Sequence, residues 1–247
     1  MIRFHPHCVG LLMTDAQSID TSLLPAELLP VAAKARKTDA EKELLAPYKE
    51  MSLSAGAKTY LKSMAREYLF SYHKVIETKY MDKGIALEDA AIQFLNNQRF
   101  QSYRKNTERR LSEYLTGECD IYVPGVKTID IKVSWSMDTF PLLSEDAHDS
   151  LYEWQGRAYM KLWDVPEHEV VHVLLDTPDE LIKWEQRELH EVAHIDPAMR
   201  VTSITYKRDA ELERRLDDKC RVARAYLMQL VDRALAEHGR APMQEAA

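Results

Sequence analysis

The stretch GECDIYVPGVKTIDIKVSW, residues 117–135, decides how the chain is read. Residues 117–123 and 127–135 alternate with a period of two, the spacing of strands with one face buried, and Pro124-Gly125 marks a turn between them. In the second run Ile129, Ile131, Val133 and Trp135 point one way, while Thr128, Asp130, Lys132 and Ser134 point the other. With a three-residue loop from Pro124 to Val126, Val123 pairs with Lys127 and Asp120 falls opposite Asp130. Opposed residues of an antiparallel pair have Cβ atoms about 5 Å apart on one face of the sheet. Two carboxylates that close repel unless a cation or a proton sits between them. Lys132 follows on the same face. The hairpin thus presents two hard oxygen donors and one ammonium, an arrangement suited to Mg²⁺, which takes a few carboxylates, keeps waters and leaves room for phosphate. An isolated D-x-K is more often a solvent-facing pair on an exposed strand, so the weight rests on what surrounds it.

Upstream, Ala57, Tyr60, Leu61, Met64, Ala65, Tyr68 and Tyr72 recur at helical spacing, which predicts a helix over 54–80 with its tyrosines in the core. Gly84 interrupts the pattern and residues 85–96 restart it. Downstream the pattern predicts a helix at 145–163, a buried strand at 169–176 stopped by Thr177-Pro178, and a helix at 179–194. A strand at 199–206 and a long helix from about 209 to 238 follow. Residues 1–50, interrupted by Pro25, Pro30 and Pro47, read as an irregular or helical extension packed on a single domain of residues 51–240, with 241–247 a disordered tail. This order predicts an α/β fold with a central mixed sheet flanked by helices on both faces.

Of the 247 residues 45% are hydrophobic and 30% charged, enough apolar material for a core. No apolar run approaches a bilayer span and residues 1–20 lack the order of a signal peptide, so no membrane partner is expected. Cys8, Cys119 and Cys220 supply neither a disulfide framework nor a four-cysteine cluster, which points to a reduced, cytoplasmic protein without an iron–sulfur centre. A net charge of −7 weighs against nucleic acid, because affinity there comes largely from neutralising phosphates. An acidic site that holds a divalent ion reverses the local sign, and Arg99, Arg104, Lys105, Arg109 and Arg110 lie close together in sequence.

The run 117–135 resembles the D-x(n)-(D/E)-x-K core of the PD-(D/E)XK nucleases, with Cys119 standing where that pattern has a leading proline. Lys83-Gly84 followed by Glu88 resembles the first-helix glutamate of the phage lambda exonuclease and RecB-nuclease branch. Gln155 and Tyr159 match that branch's Q-x-x-x-Y motif and lie one helical turn apart. WSMDTFP at 135–141 and LLDTP at 174–178 are similar to phage-encoded members, and the matches together span roughly residues 54–235. The resemblance implies a restriction-endonuclease-like core in which Glu88, Asp120, Asp130 and the Ile131 carbonyl hold Mg²⁺, with Mn²⁺ able to substitute. It implies that Lys132 is the catalytic lysine, that Gln155 and Tyr159 orient the site or touch the DNA backbone, and that Ser54 and Lys58 meet a terminal phosphate. The basic cluster adds Arg104 and Lys105 as expected DNA contacts. The implied activity is hydrolysis of linear duplex DNA, 5′ to 3′, in phage-type recombination or repair. Its implied setting is bacterial or phage-infected host cytosol, with a single-strand annealing protein as partner and a homo-oligomer as a possible assembly. The same core pattern would also serve a DNA endonuclease or a non-cleaving DNA-binding protein of this fold.

One motif points elsewhere. Residues 190–194 read His-Glu-Val-Ala-His, and on a helix the two histidines of H-E-x-x-H share a face that can bind Zn²⁺, with Glu191 as general base of a metalloprotease. Pro197 close behind and the lack of the extended Gly-and-His pattern weigh against it. His5, His7 and Cys8 sit near a chain end without a partner cluster.

Overall fold

The computed structural model describes residues 2–75 and 77–242; of the tail expected at 241–247, residues 243–247 lie outside the described residues. Among the described residues the chain runs α1 (Pro6–Leu12), α2 (Leu29–Ala33), α3 (Asp39–Met51), α4 (Ala55–Phe70), α5 (Lys79–Arg99), β1 (Arg110–Leu111) and β2 (Thr116–Gly117). It continues through β3 (Ile121–Val123), β4 (Lys127–Val133), α6 (Ser150–Trp163), β5 (Glu167–Val173), β6 (Val201–Lys207) and α7 (Ala210–Glu237). None of these helices is long and apolar enough to cross a membrane.

The elements gather into two compact units, one of residues 1–74, 113–115 and 209–247 and one of residues 75–112 and 116–208. The first is helical. Helix α7 packs on α1, α3 and α4, burying Leu216, Cys220, Ala223 and Leu227 along one stripe. Lys219 lies inside that stripe, and its ammonium donates to the carbonyls of Glu50 and Ser52, both at 2.6 Å, so the buried charge closes the end of α3. The expected boundary at residue 50 falls within α3.

The second unit is a mixed sheet in the order β3-β4-β5-β6. β3 and β4 are antiparallel, β4 and β5 parallel with α6 as the connection, and β5 and β6 antiparallel. One face carries Ile121, Ile129, Val171 and Val173 against Ala91, Ile92 and Leu95 of α5. The opposite face lies under α6. The fold is therefore the α/β architecture read from the sequence, a central mixed sheet with helices on both sides.

The hairpin register matches the spacing argument: Val123 pairs with Lys127 across residues 124–126, and Gly125 takes the positive φ (69°) that the turn needs. Other elements differ. Residues 118–120 separate β2 from β3, so the first run is two short strands. The helix expected over 54–80 ends at Phe70, with Ser71 in the left-handed region, and the tyrosines expected in the core are instead exposed at 68 and 72. Gly84 does not break α5, which runs unbroken from a Thr78 cap; a glycine inside a helix costs only about 1 kcal/mol, which tertiary packing outweighs.

The helix expected over 179–194 does not form. Short 3-10 turns stand at Asp179–Leu181 and Arg187–Leu189. Asp176 Oδ1 takes the amides of Val192 (2.6 Å) and Ala193 (3.1 Å), so these donors go to a side chain rather than to a helical ladder.

Candidate active site

Three elements build the site. Asp120 precedes β3, one step beyond the Ile121–Ile129 pair, so the register sets it opposite Asp130. Asp130 and Lys132 project from β4 towards α6, and α6 covers them. Asp149 caps this helix by accepting the Leu151 amide at 2.6 Å, which fixes where the helix begins and so the height of its side chains over the strand.

Each carboxylate is held. Asp120 Oδ2 accepts the Ile131 amide at 2.7 Å, while Gln155 donates its side-chain amide to Asp130 Oδ1 at 3.1 Å. Asp130 Oδ2 is buried, with Lys132 Nζ 2.7 Å away as its ion-pair partner. Burial, and then the charge of Asp130, push the Asp120 carboxyl up to about 7; the Ile131 amide and Lys132 pull the other way. Two acids facing each other in a covered site thus call for a proton or a cation at neutral pH.

Glu88 comes from α5 and is paired with Lys105 at 2.7 Å. Among the described residues no three His, Cys, Asp or Glu side chains lie close enough together to form a metal cage. The donor set nevertheless fits an ion that needs few protein ligands: two facing carboxylates, one of them with a buried oxygen at ion-pair distance from Lys132, beside the backbone of Ile131. Lys132 and Lys105 are the cations standing against Asp130 and Glu88.

Tyr159 is buried, donates its hydroxyl to the Glu118 carbonyl at 2.9 Å and meets Trp163 edge-on. It braces the strand connection that carries Asp120. Of the expected DNA contacts, Arg104 is exposed and Lys105 is the partner of Glu88. Ser54 and Lys58 belong to the helical unit. The Ser54 hydroxyl caps α4 by accepting the Ala57 amide and shares a 2.6 Å hydrogen bond with Thr14; Lys58 lies 3.5 Å from Asp20.

The zinc reading fails on its geometry. His190 is buried, its Nδ1 3.0 Å from the Thr177 hydroxyl and 3.3 Å from the Trp135 carbonyl, whereas Glu191 and His194 are exposed on a loop. Without a helix the two histidines do not share a face.

No family model and no curated protein sequence matches the chain. Solved structures do. A phage-related exonuclease from Haemophilus somnus 129PT is 29% identical, with a TM-score of 0.77 over 94% of this chain and 96% of that one. The chain shares the fold of this exonuclease. An alkaline exonuclease from Laribacter hongkongensis aligns over 96% of this chain and 93% of its own at 12% identity and a TM-score of 0.60. The same enzyme in complex with dAMP aligns over 76% and 88% at 14% identity and a TM-score of 0.58.

Sequence reasoning missed several residues around the site. Tyr152 lies three positions before Gln155 and so on its face of α6, a signal helical spacing alone would have supplied. His168 and His172 stand on β5 beside Thr128 and Lys132, and Gly156 lies against the His168 ring. These follow only from the parallel register, which one chain does not display.

Proposed function

We propose that the protein is a divalent-metal-dependent exonuclease that hydrolyses the phosphodiester bonds of linear duplex DNA, advancing from 5′ ends. The observation that carries this reading is the facing Asp120–Asp130 pair with Lys132 beside it, set in a fold shared with a phage-related exonuclease at 29% identity. Asp120, Asp130 and the Ile131 carbonyl would hold Mg²⁺ or Mn²⁺, with Glu88 joining once it exchanges Lys105 for the ion. The ion, when bound, supplies Lewis-acid stabilisation of the charge developing on the phosphoryl oxygens.

The protein's own groups do the rest. Gln155 fixes the rotation of the Asp130 carboxylate through Oδ1, leaving Oδ2 for the cation. Lys132 orients the attacking water or stabilises charge on the phosphate, the work of a cation aimed at the reacting centre of a covered site. Tyr159 keeps the Asp120 connection in place through Glu118. Arg104 and Lys105 would meet phosphates of the bound strand. A single-strand annealing partner, a homo-oligomer and a cytoplasmic setting in phage recombination belong to the same reading.

The test is substrate form. With Mg²⁺, linear duplex labelled at the 5′ or the 3′ end is incubated beside closed circles and single strands. Early mononucleotide release of the 5′ label from linear duplex alone supports the reading; cutting of closed circles reassigns the site to an endonuclease, and binding without cutting makes the protein a non-cleaving one.

A further inference from the structure

Resting on the nuclease reading, the surroundings of Lys132 carry one more assignment. The Lys132 ammonium lies over the Tyr152 ring, 4.5 Å from its centroid, as well as 2.7 Å from Asp130 Oδ2. Tyr152 shares a face of α6 with Gln155, so one helix sets both the carboxylate and the lysine. Beside the ring also stands His172 of β5, the register partner of Lys132, with ring centroids 6.3 Å apart. The His172 imidazole is kept neutral, its pKa pushed down to about 4 by burial and then by the Lys132 charge, so no second cation competes for the ring.

We propose that Tyr152 is a positioning residue: its ring face seats the Lys132 ammonium by cation–π attraction, and His172 buttresses the ring. A lysine stem has four rotatable carbons and holds a compact charge loosely. Its two anchors here differ in kind. A cation bound at Asp130 competes with the ammonium for Oδ2, whereas the ring is not a metal ligand. The seat therefore keeps Lys132 beside the reacting phosphate when the carboxylate is occupied.

The experiment compares wild type with Tyr152→Leu, Tyr152→Phe and a series of fluorinated phenylalanines at position 152, which keep the ring's shape while draining its π face. Turnover of linear duplex with Mg²⁺ is read together with the ε-methylene NMR shift of ¹³C-labelled Lys132 in metal-free protein. A desolvated cation–π contact corresponds to about a ten- to thirtyfold effect. Tyr152→Leu is expected to lower kcat by that factor with KM little changed and to abolish the upfield ring-current shift of Lys132. Tyr152→Phe is expected to recover most of the lost turnover, and the fluorinated rings to lose it step by step. Full turnover in Tyr152→Leu, an equal loss in Tyr152→Phe, or a flat fluorination series overturns the assignment. Should wild type cleave no DNA at all, the nuclease reading falls, and the ring-current shift alone then decides for or against the seat.

Discussion

Replacing Gly156 by alanine puts the packing between α6 and β5 to a quantitative test. A Cβ at this position would stand 2.2 Å from His168 Cδ2, 2.8 Å from Cγ and 3.0 Å from Nε2. Carbon atoms in contact settle at about 3.5–4.0 Å, so the overlap is more than about 1 Å. The ring has no room to retreat: His168 is fully buried, and its Nδ1 is tied to the Thr128 hydroxyl at 2.8 Å. Overpacking of this kind costs about 1–3 kcal/mol and sometimes more, against about 1 kcal/mol gained from alanine's better helix propensity. The upper half of that range applies to a trapped ring, so a net loss of about 1–2 kcal/mol is expected, or about 2–8 °C in Tm. If α6 instead lifts, it carries Gln155 away from Asp130, and a displacement of about 1 Å can lower turnover about a hundredfold. Thermal and urea melts beside the linear-duplex digest read both effects. Adding His168→Ala should make the alanine at 156 much less harmful than it is alone, the signature of two residues in direct contact. A Gly156→Ala protein that is as stable as wild type and turns over normally would refute the reasoning.

Three further outcomes follow from buried groups. Burial pushes His168 down to about 4, against about 6.5 in an unfolded chain, so its contribution is complete above pH 6.5 and is lost as pH falls from 6.5 towards 4, by about 3 kcal/mol in total. Glu169 acts lower: burial raises its pKa, but hydrogen bonds from Arg99 and Lys127 outweigh that and hold it at about 2, so its stabilisation is present above about 4.3 and lost as pH falls through 2. Melts from pH 7 to 5 should fall in wild type and fall less steeply in His168→Asn, the remaining slope coming in part from His172, which burial also holds near 4; an unchanged slope removes His168 as a cause. His190→Ala should cost about 2–3 kcal/mol through the lost Thr177 and Trp135 contacts, yet leave DNA hydrolysis intact and protein-bound zinc absent in both forms. Stoichiometric zinc that disappears with His190 would revive the metalloprotease.

What was legible in the sequence was local. The period-two runs around Pro124-Gly125 carry their own register, because loop length alone sets Val123 opposite Lys127 and hence Asp120 opposite Asp130. The Gln155–Asp130 contact had a signal in the Q-x-x-x-Y spacing. The helix expected over 179–194 had the composition for one, but at its end the amides of Val192 and Ala193 go to the Asp176 side chain, a contact that helical periodicity does not reveal. Likewise the helical unit joins the first 74 residues to α7, a pairing across more than half the chain that no periodicity announces. The sites of Tyr152, Gly156 and His168 depend on which strand lies beside β4, and that is a property of the fold rather than of any one segment.

The most direct measurement is single-turnover cleavage of a 5′-labelled linear duplex by wild type, Asp130→Asn and Lys132→Ala, each verified as folded, with and without Mg²⁺. The expected result is Mg²⁺-dependent release by wild type and a loss of at least about a hundredfold in each variant, the effect seen when a group acting on transition-state charge is removed. Cleavage at the wild-type rate by Lys132→Ala, or no cleavage by wild type in Mg²⁺ or Mn²⁺, would contradict the assignment of this site.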